Sequence, residues 1–131
     1  METTYTILRI ALGLNIFMHG FTRLHAGSKS FRESIQKEFA DSILPAKLVG
    51  AFGIIIVPLE AAIGGFLLLG IFTEYTIVTG SVLMLILIFG KSLKSDWQTV
   101  SFQMIYVAFY AALAFLKSYN GFSLDKLLFK F

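Results

Sequence analysis

The chain contains no cysteine in its 131 residues. This absence excludes disulfide bonds, thiol redox chemistry and cysteine-ligated zinc or iron–sulfur centres. The two histidines do not form a pair at haem-ligand positions within the membrane, and the sequence has no flavin motif. We therefore expect no metal site and no covalently bound cofactor. Such a chain carries electrons only with the help of a partner or a diffusible carrier.

Charge is also scarce, because only 15% of the residues are Asp, Glu, Lys or Arg. The net charge is +3, but no basic run is interleaved with aromatic residues, so nucleic acid is not an expected partner. Instead, 56% of the residues are hydrophobic and the mean hydropathy is +0.78. This share exceeds that of ordinary globular domains and predicts a single membrane domain that covers residues 1–131.

The longest apolar run extends from Leu48 to Gly70 and contains one carboxylate, Glu60, two residues after Pro58. As a helix it would rise roughly 30 Å, which is the thickness of the hydrocarbon core of a bilayer. An ionised carboxylate at that depth is costly unless it is paired, protonated or turned toward water inside a bundle. Glu60 therefore requires a partner.

Three further segments have the apolar pattern of membrane spans. We predict an all-α membrane protein, a bundle of four transmembrane helices over residues of about 4–21, 48–70, 76–93 and 99–116. The start, METTYTILR, has no basic leader, so we expect the first span to insert as its own anchor.

The connection between the first two spans has the pattern of a short amphipathic helix. Ser30 and Glu33 have the spacing of a capping box, and Phe31, Ile35 and Phe39 recur every four residues. We predict an interfacial helix over about 30–42, either on the membrane surface or over the mouth of the bundle.

Polar residues within the spans are the candidates for a ligand or proton site. Arg9 is either an interfacial anchor or the counter-ion of Glu60 on the adjacent antiparallel span. His19, near the other end of the first span, is an interfacial residue or a proton relay. Gln103 and Tyr106 lie one helical turn apart and have groups that bond either to neighbouring helices or to a ligand.

Basic residues indicate the orientation of the chain in the membrane. The first and third loops carry Arg23, Lys29, Arg32, Lys37, Lys47, Lys91 and Lys94, whereas the opposite face carries Lys117, Lys126 and Lys130. The positive-inside rule then puts both termini on the non-cytoplasmic side. We expect a multi-pass protein of the bacterial inner membrane.

Three separated blocks suggest a family. They read LRIALGLNIFMHGFTRL in the first span, PLEAAIGGFLLLGIFT in the second and NGFSLD near the end, with the charged members Arg9, Arg23, Glu60 and Asp125. In their order and spacing they resemble the DoxX family of small four-span bacterial membrane proteins. The resemblance implies a polar site between the first two helices. It also implies an association with membrane redox chemistry, since that family takes in proteins similar to the small subunit of thiosulfate:quinone oxidoreductase.

Two classes of function follow from the polar site, and neither makes the chain a stand-alone enzyme. The first is an integral membrane subunit of a redox-linked complex that binds quinone or another lipophilic carrier at Arg9 and Glu60. The second class is non-catalytic: a structural or assembly subunit of a larger complex. A small proton-linked transporter is a further alternative, and it would need several copies of the chain. The expected partners are the lipid bilayer and other subunits or further copies.

Overall fold

The chain folds almost entirely into helices. The computed structural model describes residues 1–121 and 123–129, so Phe122 of the NGFSLD block and Lys130 of the charge count lie outside the described residues. The elements are α1 (Glu2–Ala26), α2 (Ser28–Glu38), α3 (Ala46–Leu69), α4 (Thr73–Leu93), α5 (Trp97–Phe115), a 3-10 turn (Lys117–Tyr119) and α6 (Leu124–Phe129). The described ranges contain no β-strand, which confirms the all-α prediction.

Three of these helices, α3, α4 and α5, are long and apolar enough to cross a membrane. They coincide closely with the second, third and fourth predicted spans, and α3 continues through Pro58 without a break. α1 also has the necessary length, with 25 residues. Arg9, Asn15 and His19 interrupt its apolar sequence, however, and it is not among the helices that are apolar enough to cross a membrane by composition.

The packing of α1 against α3 forms the most extensive interface between any two elements. Gly20 of α1 lies on Ala61, and Gly64 of α3 lies on Phe17, so closely that a Cβ at either glycine would overlap backbone atoms of the other helix. The later residue of α1, Gly20, meets the earlier residue of α3, Ala61, so the two helices are antiparallel. Small residues at these positions of α3 let α1 approach closely.

α2 begins earlier than predicted and has a different start. Gly27 has a φ of 100°, a conformation that glycine adopts readily, and it joins the end of α1 directly to Ser28. Ser30 therefore lies inside the helix, and the predicted capping box of Ser30 and Glu33 does not form, since no side chain caps this helix. The helix ends at Glu38, short of the predicted boundary.

α2 packs against the first half of α3. The side chain of Ile35 lies against Gly53, and Gln36 Nε2 donates a hydrogen bond of 3.0 Å to the carbonyl oxygen of Ala46. Of the two positions that the sequence left open, the contacts favour a cover over one end of the bundle.

Asp125 ties the last described segment to the turn between α3 and α4. Its Oδ1 accepts a hydrogen bond of 2.6 Å from the backbone N–H of Phe72, and its Oδ2 accepts one of 2.8 Å from that of Thr73. In return, the N–H of Asp125 donates to the carbonyl oxygen of Gly70 at 2.8 Å. Because the first N–H groups of a helix have no partner within it, the carboxylate caps the start of α4.

We predict that Gly64→Ala destabilises the protein by about 1–3 kcal/mol, because the added methyl group forces α1 away from α3. The neighbouring Gly65 provides the matched control, since a Cβ there meets only Phe17 Cδ2, at 3.9 Å. Gly65→Ala should leave stability unchanged or slightly raised, because alanine is the better helix former. Thermal unfolding in mild detergent measures both variants. Equal stabilities of the two would contradict the packing described here.

Candidate functional site

Glu60 forms an ion pair with Arg23 of α1. The Arg23 Nη1 to Glu60 Oε2 distance is 2.5 Å, and the two side chains are 31% and 7% exposed. The guanidinium carbon of Arg23 also lies 4.4 Å from the centroid of the Phe31 ring on α2. The register of α1 on α3 produces this pair, since Gly20 contacts Ala61 and Arg23 is one turn further along α1.

Of the two roles expected for Arg9, that of counter-ion to Glu60 is wrong, because Glu60 pairs with Arg23. Arg9 Nη1 donates a hydrogen bond of 2.7 Å to the carbonyl oxygen of Leu67, about two turns along α3 from Glu60. The antiparallel register is the reason, because residues nearer the start of α1 face residues nearer the end of α3. The last carbonyl groups of a helix lack partners within it, and the buried guanidinium satisfies one of them.

Arg23 was not among the predicted site residues, because the first span was predicted to end at residue 21 and this arginine to lie in the loop. α1 in fact continues to Ala26. The signal was present in the apolar pattern: Phe21 and Leu24 continue the sequence of large hydrophobic residues that begins at Ile7. Extending the helix by one turn would have placed Arg23 on α1.

Beside this ion pair lies a cavity of about 410 Å³ between α1, α2, α3, α4 and α5. Four of the five predicted site residues line it, namely His19, Glu60, Gln103 and Tyr106, and Arg23 joins them. Arg9 does not. The rest of the wall is largely apolar and includes Ile16, Ile56, Met84, Leu87 and Phe102.

A small polar network fixes the orientation of two of these side chains. His19 Nδ1 lies 2.8 Å from the carbonyl oxygen of Asn15, and the ring of His19 meets that of Tyr106 edge to face at 6.3 Å. The hydroxyl of Tyr106 donates to Asn15 Oδ1 at 3.0 Å. His19 is also close enough to Glu60 to interact with it electrostatically. The network therefore links α1 to α5 across the cavity.

Gln103 differs from its neighbours because its side-chain oxygen is unused. Gln103 is only 8% exposed, and its Oε1 is buried and accepts no hydrogen bond from any described residue. A buried polar atom without a partner is costly. The cavity therefore contains an unsatisfied acceptor that a ligand or a water molecule can use.

Ion pairs hold the end of α2 over the cavity. Lys91 of α4 pairs with Glu38, and both line the cavity, while Lys94 pairs with Asp41 just beyond α2. The hydrogen bond from Lys94 lowers the pKa of the Asp41 carboxyl, and a side-chain hydrogen bond from Thr99 lowers the pKa of Asp96 at the start of α5. Both carboxylates are therefore charged at neutral pH, and the contribution of Asp41 to the attachment is lost as the pH falls from the ordinary aspartate pKa through its lowered value.

Long apolar helices around buried ionic groups define the chain as a multi-pass helical membrane protein. Residues 1–95 match the family model described as methylamine utilisation protein MauE. Since the match covers well over half of the 131 residues, the chain belongs to the MauE family. No curated protein and no solved structure matches the chain.

This finding overturns the resemblance to the DoxX family. The first two blocks of that resemblance lie within the matched range, and NGFSLD lies beyond it. The residues that carried it have general structural roles: Gly20 and Gly64 permit close helix packing, Gly70 ends α3 with a positive φ, and Asp125 caps α4. Any helical bundle with similar contacts favours such residues, so they do not distinguish one family from another.

We predict a strong energetic coupling between Arg23 and Glu60. Arg23→Gln leaves a buried carboxylate without its cation and should cost about 1–3 kcal/mol, whereas the double variant with Glu60→Gln should recover most of this loss. A double-mutant cycle in detergent measures the coupling.

The matched control is the pair of Lys117 and Glu74, joined at 2.9 Å with side chains 60% and 68% exposed. Exposed pairs contribute about 0–1 kcal/mol, so its coupling should be small. If Arg23 and Glu60 couple no more strongly than this pair, their contact is not a significant link between α1 and α3.

Proposed function

We propose that the chain is an integral membrane subunit of the redox-linked system that the family name connects with methylamine utilisation, and that its 410 Å³ cavity binds quinone or another lipophilic carrier. The observation that carries the proposal is the cavity itself, in which an apolar wall meets a few convergent polar groups. Pockets for small molecules have this character and volumes of about 300–1,000 Å³.

The polar end of the cavity suits a ring with oxygen substituents. Gln103 Oε1 has no partner among the described residues and can accept a hydrogen bond from a hydroquinone hydroxyl. If the side-chain amide of Gln103 is flipped, its Nε2 faces the same position and can donate to a quinone carbonyl. Ile56, Met84 and Phe102 provide the apolar surface for the ring and its substituents.

α1 acts in this proposal as a fourth membrane helix. Its large exposed residues form one stripe that faces away from the bundle: Ile7, Ile10, Leu14, Met18, Phe21 and Leu24. Its arginine at position 9 is buried against α3, so the exposed surface of this helix is apolar over most of its length. A four-span bundle puts both termini on one side, and the basic residues of the loops support the non-cytoplasmic side of a bacterial inner membrane.

The absence of cysteine permits a direct test of this topology. Thr3, Ser30 and Ser118 are all exposed, so a cysteine at each position can react with a membrane-impermeant thiol reagent. In the proposed topology the reagent should label Thr3→Cys and Ser118→Cys on intact spheroplasts. It should label Ser30→Cys only after lysis, because this position lies on the cytoplasmic side. Labelling of Thr3→Cys and Ser30→Cys from the same side would show that α1 does not span. Protection of Ser118→Cys before lysis would show the opposite orientation.

The quinone site is tested by binding to the purified full-length protein. A short-chain quinone analogue should bind about three- to tenfold more weakly to Gln103→Leu, because that variant loses one hydrogen bond but keeps the volume of the side chain. Gln98, exposed on the same helix, provides the control, and Gln98→Leu should bind like the unaltered protein. Equilibrium dialysis gives the affinities, and solvent extraction followed by absorbance detects quinone retained during purification. Equal affinities of the two variants, or no binding at all, would contradict the proposal.

A second candidate function is that of a structural subunit. It is favoured by the two arginines that connect α1 to α3, Arg23 through Glu60 and Arg9 through Leu67, because such links fix helix register without any ligand. This function requires stable association with other subunits or with further copies of the chain. Co-purification in mild detergent of a partner, together with an empty cavity, would select it.

A further inference from the structure

A second cavity, of about 530 Å³, lies at the opposite end of the bundle from the first. It is formed where α1 and α4 begin, where α5 ends and where the following segment crosses beneath them. Part of its wall comes from residues beyond position 95, outside the range of the family match. None of its lining residues belongs to the first cavity.

Three polar atoms among its lining residues are buried without hydrogen-bond partners in the described part of the chain. They are the Tyr5 hydroxyl, Thr73 Oγ1 and Asn120 Oδ1. Tyr5 is 0% exposed and Thr73 is 3% exposed. Native proteins rarely leave such groups unpaired, so three unused polar groups on residues that line one cavity are unusual.

The carboxylates around the cavity differ in whether they already have a hydrogen-bond or ion-pair partner. Both oxygens of Asp125 accept backbone hydrogen bonds, and Glu74 pairs with Lys117 at 2.9 Å. Glu2, by contrast, has no ion pair with any described residue, and its carboxylate lies against Gly121, where an added Cβ would be 2.7 Å from Oε1. Glu2 is therefore the carboxylate that remains available to a cation.

We propose that this cavity binds a primary ammonium group. Such a group has three N–H donors and a positive charge, which match the hydroxyl oxygens of Tyr5 and Thr73, the amide oxygen of Asn120 and the carboxylate of Glu2. The site is separate from the proposed quinone site and does not depend on it.

Two sources can supply this chemistry at the end of a membrane helix. One is the headgroup of an ethanolamine lipid, whose phosphate would then face Lys126 on the rim of the cavity. The other is a small free amine. Both carry N–H donors, whereas choline lipids and tetramethylammonium carry the same charge without them.

The test uses the full chain in nanodiscs of choline lipid. Calorimetry should detect binding of methylammonium and not of tetramethylammonium if the source is a free amine. Native mass spectrometry of protein from mixed bilayers should show retained ethanolamine lipid in preference to choline lipid if the source is a headgroup, and Lys126→Gln should weaken only that preference. Either preference supports the proposal, and the absence of both overturns it.

Variants locate the site. Tyr5→Phe removes one hydroxyl and should weaken the preferred ligand about three- to tenfold. Tyr75→Phe is the matched control, because Tyr75 is 75% exposed and does not line the cavity. This variant should bind the same ligand as tightly as the unaltered protein does. Equal effects of the two substitutions overturn the assignment.

Two further variants keep the test decisive. If Tyr5→Phe fails to fold, Glu2→Gln replaces it, since Glu2 is exposed and its substitution leaves the core intact. It should weaken binding about tenfold through loss of the charge. Gln103→Leu should leave ammonium binding unchanged, so failure of the quinone site and failure of this site are distinguishable.

Discussion

The close contact between α1 and α3 determines where every buried charge of the first helix is placed. Gly20 and Gly64 let the two backbones approach, and this approach fixes a single antiparallel register. In that register Arg23 reaches Glu60, and Arg9 reaches the carbonyl group of Leu67. A shift by one turn would separate both arginines from their partners, so the packing of small residues and the satisfaction of charge reinforce each other.

The three buried ionic groups among the described residues are satisfied in three different ways. Glu60 has a guanidinium, Arg9 has the unpaired carbonyl groups at the end of α3, and Asp125 has the unpaired N–H groups at the start of α4. The last two follow the polarity of a helix, whose end attracts cations and whose start attracts anions. The pair of Arg23 and Glu60 lies beside the cavity that combines a largely apolar wall with the unsatisfied acceptor of Gln103, and the proposed carrier site is assigned there for that reason.

Much of the fold was predictable because apolar length and periodicity are local properties of the sequence. The positions of α3, α4 and α5 followed from them, as did the need of Glu60 for a partner. The identity of that partner was not predictable, because it depends on the register of two helices, and register follows from contacts such as that of Gly20 with Ala61. The same limit applies to Asp125, whose partners at Phe72 and Thr73 are distant in sequence, and to the family, since residues needed for packing occur in many bundles.

The cap that Asp125 provides also bears on how the chain is made. Ribosomes synthesise this residue after all four long helices, so α3 and α4 enter the bilayer while the first amides of α4 still lack their carboxylate. Until then the hairpin of α3 and α4 depends on its own contacts and on the packing of α3 against α1, which is synthesised earlier. The cap at the start of α4 can therefore form only after the rest of the bundle has been synthesised.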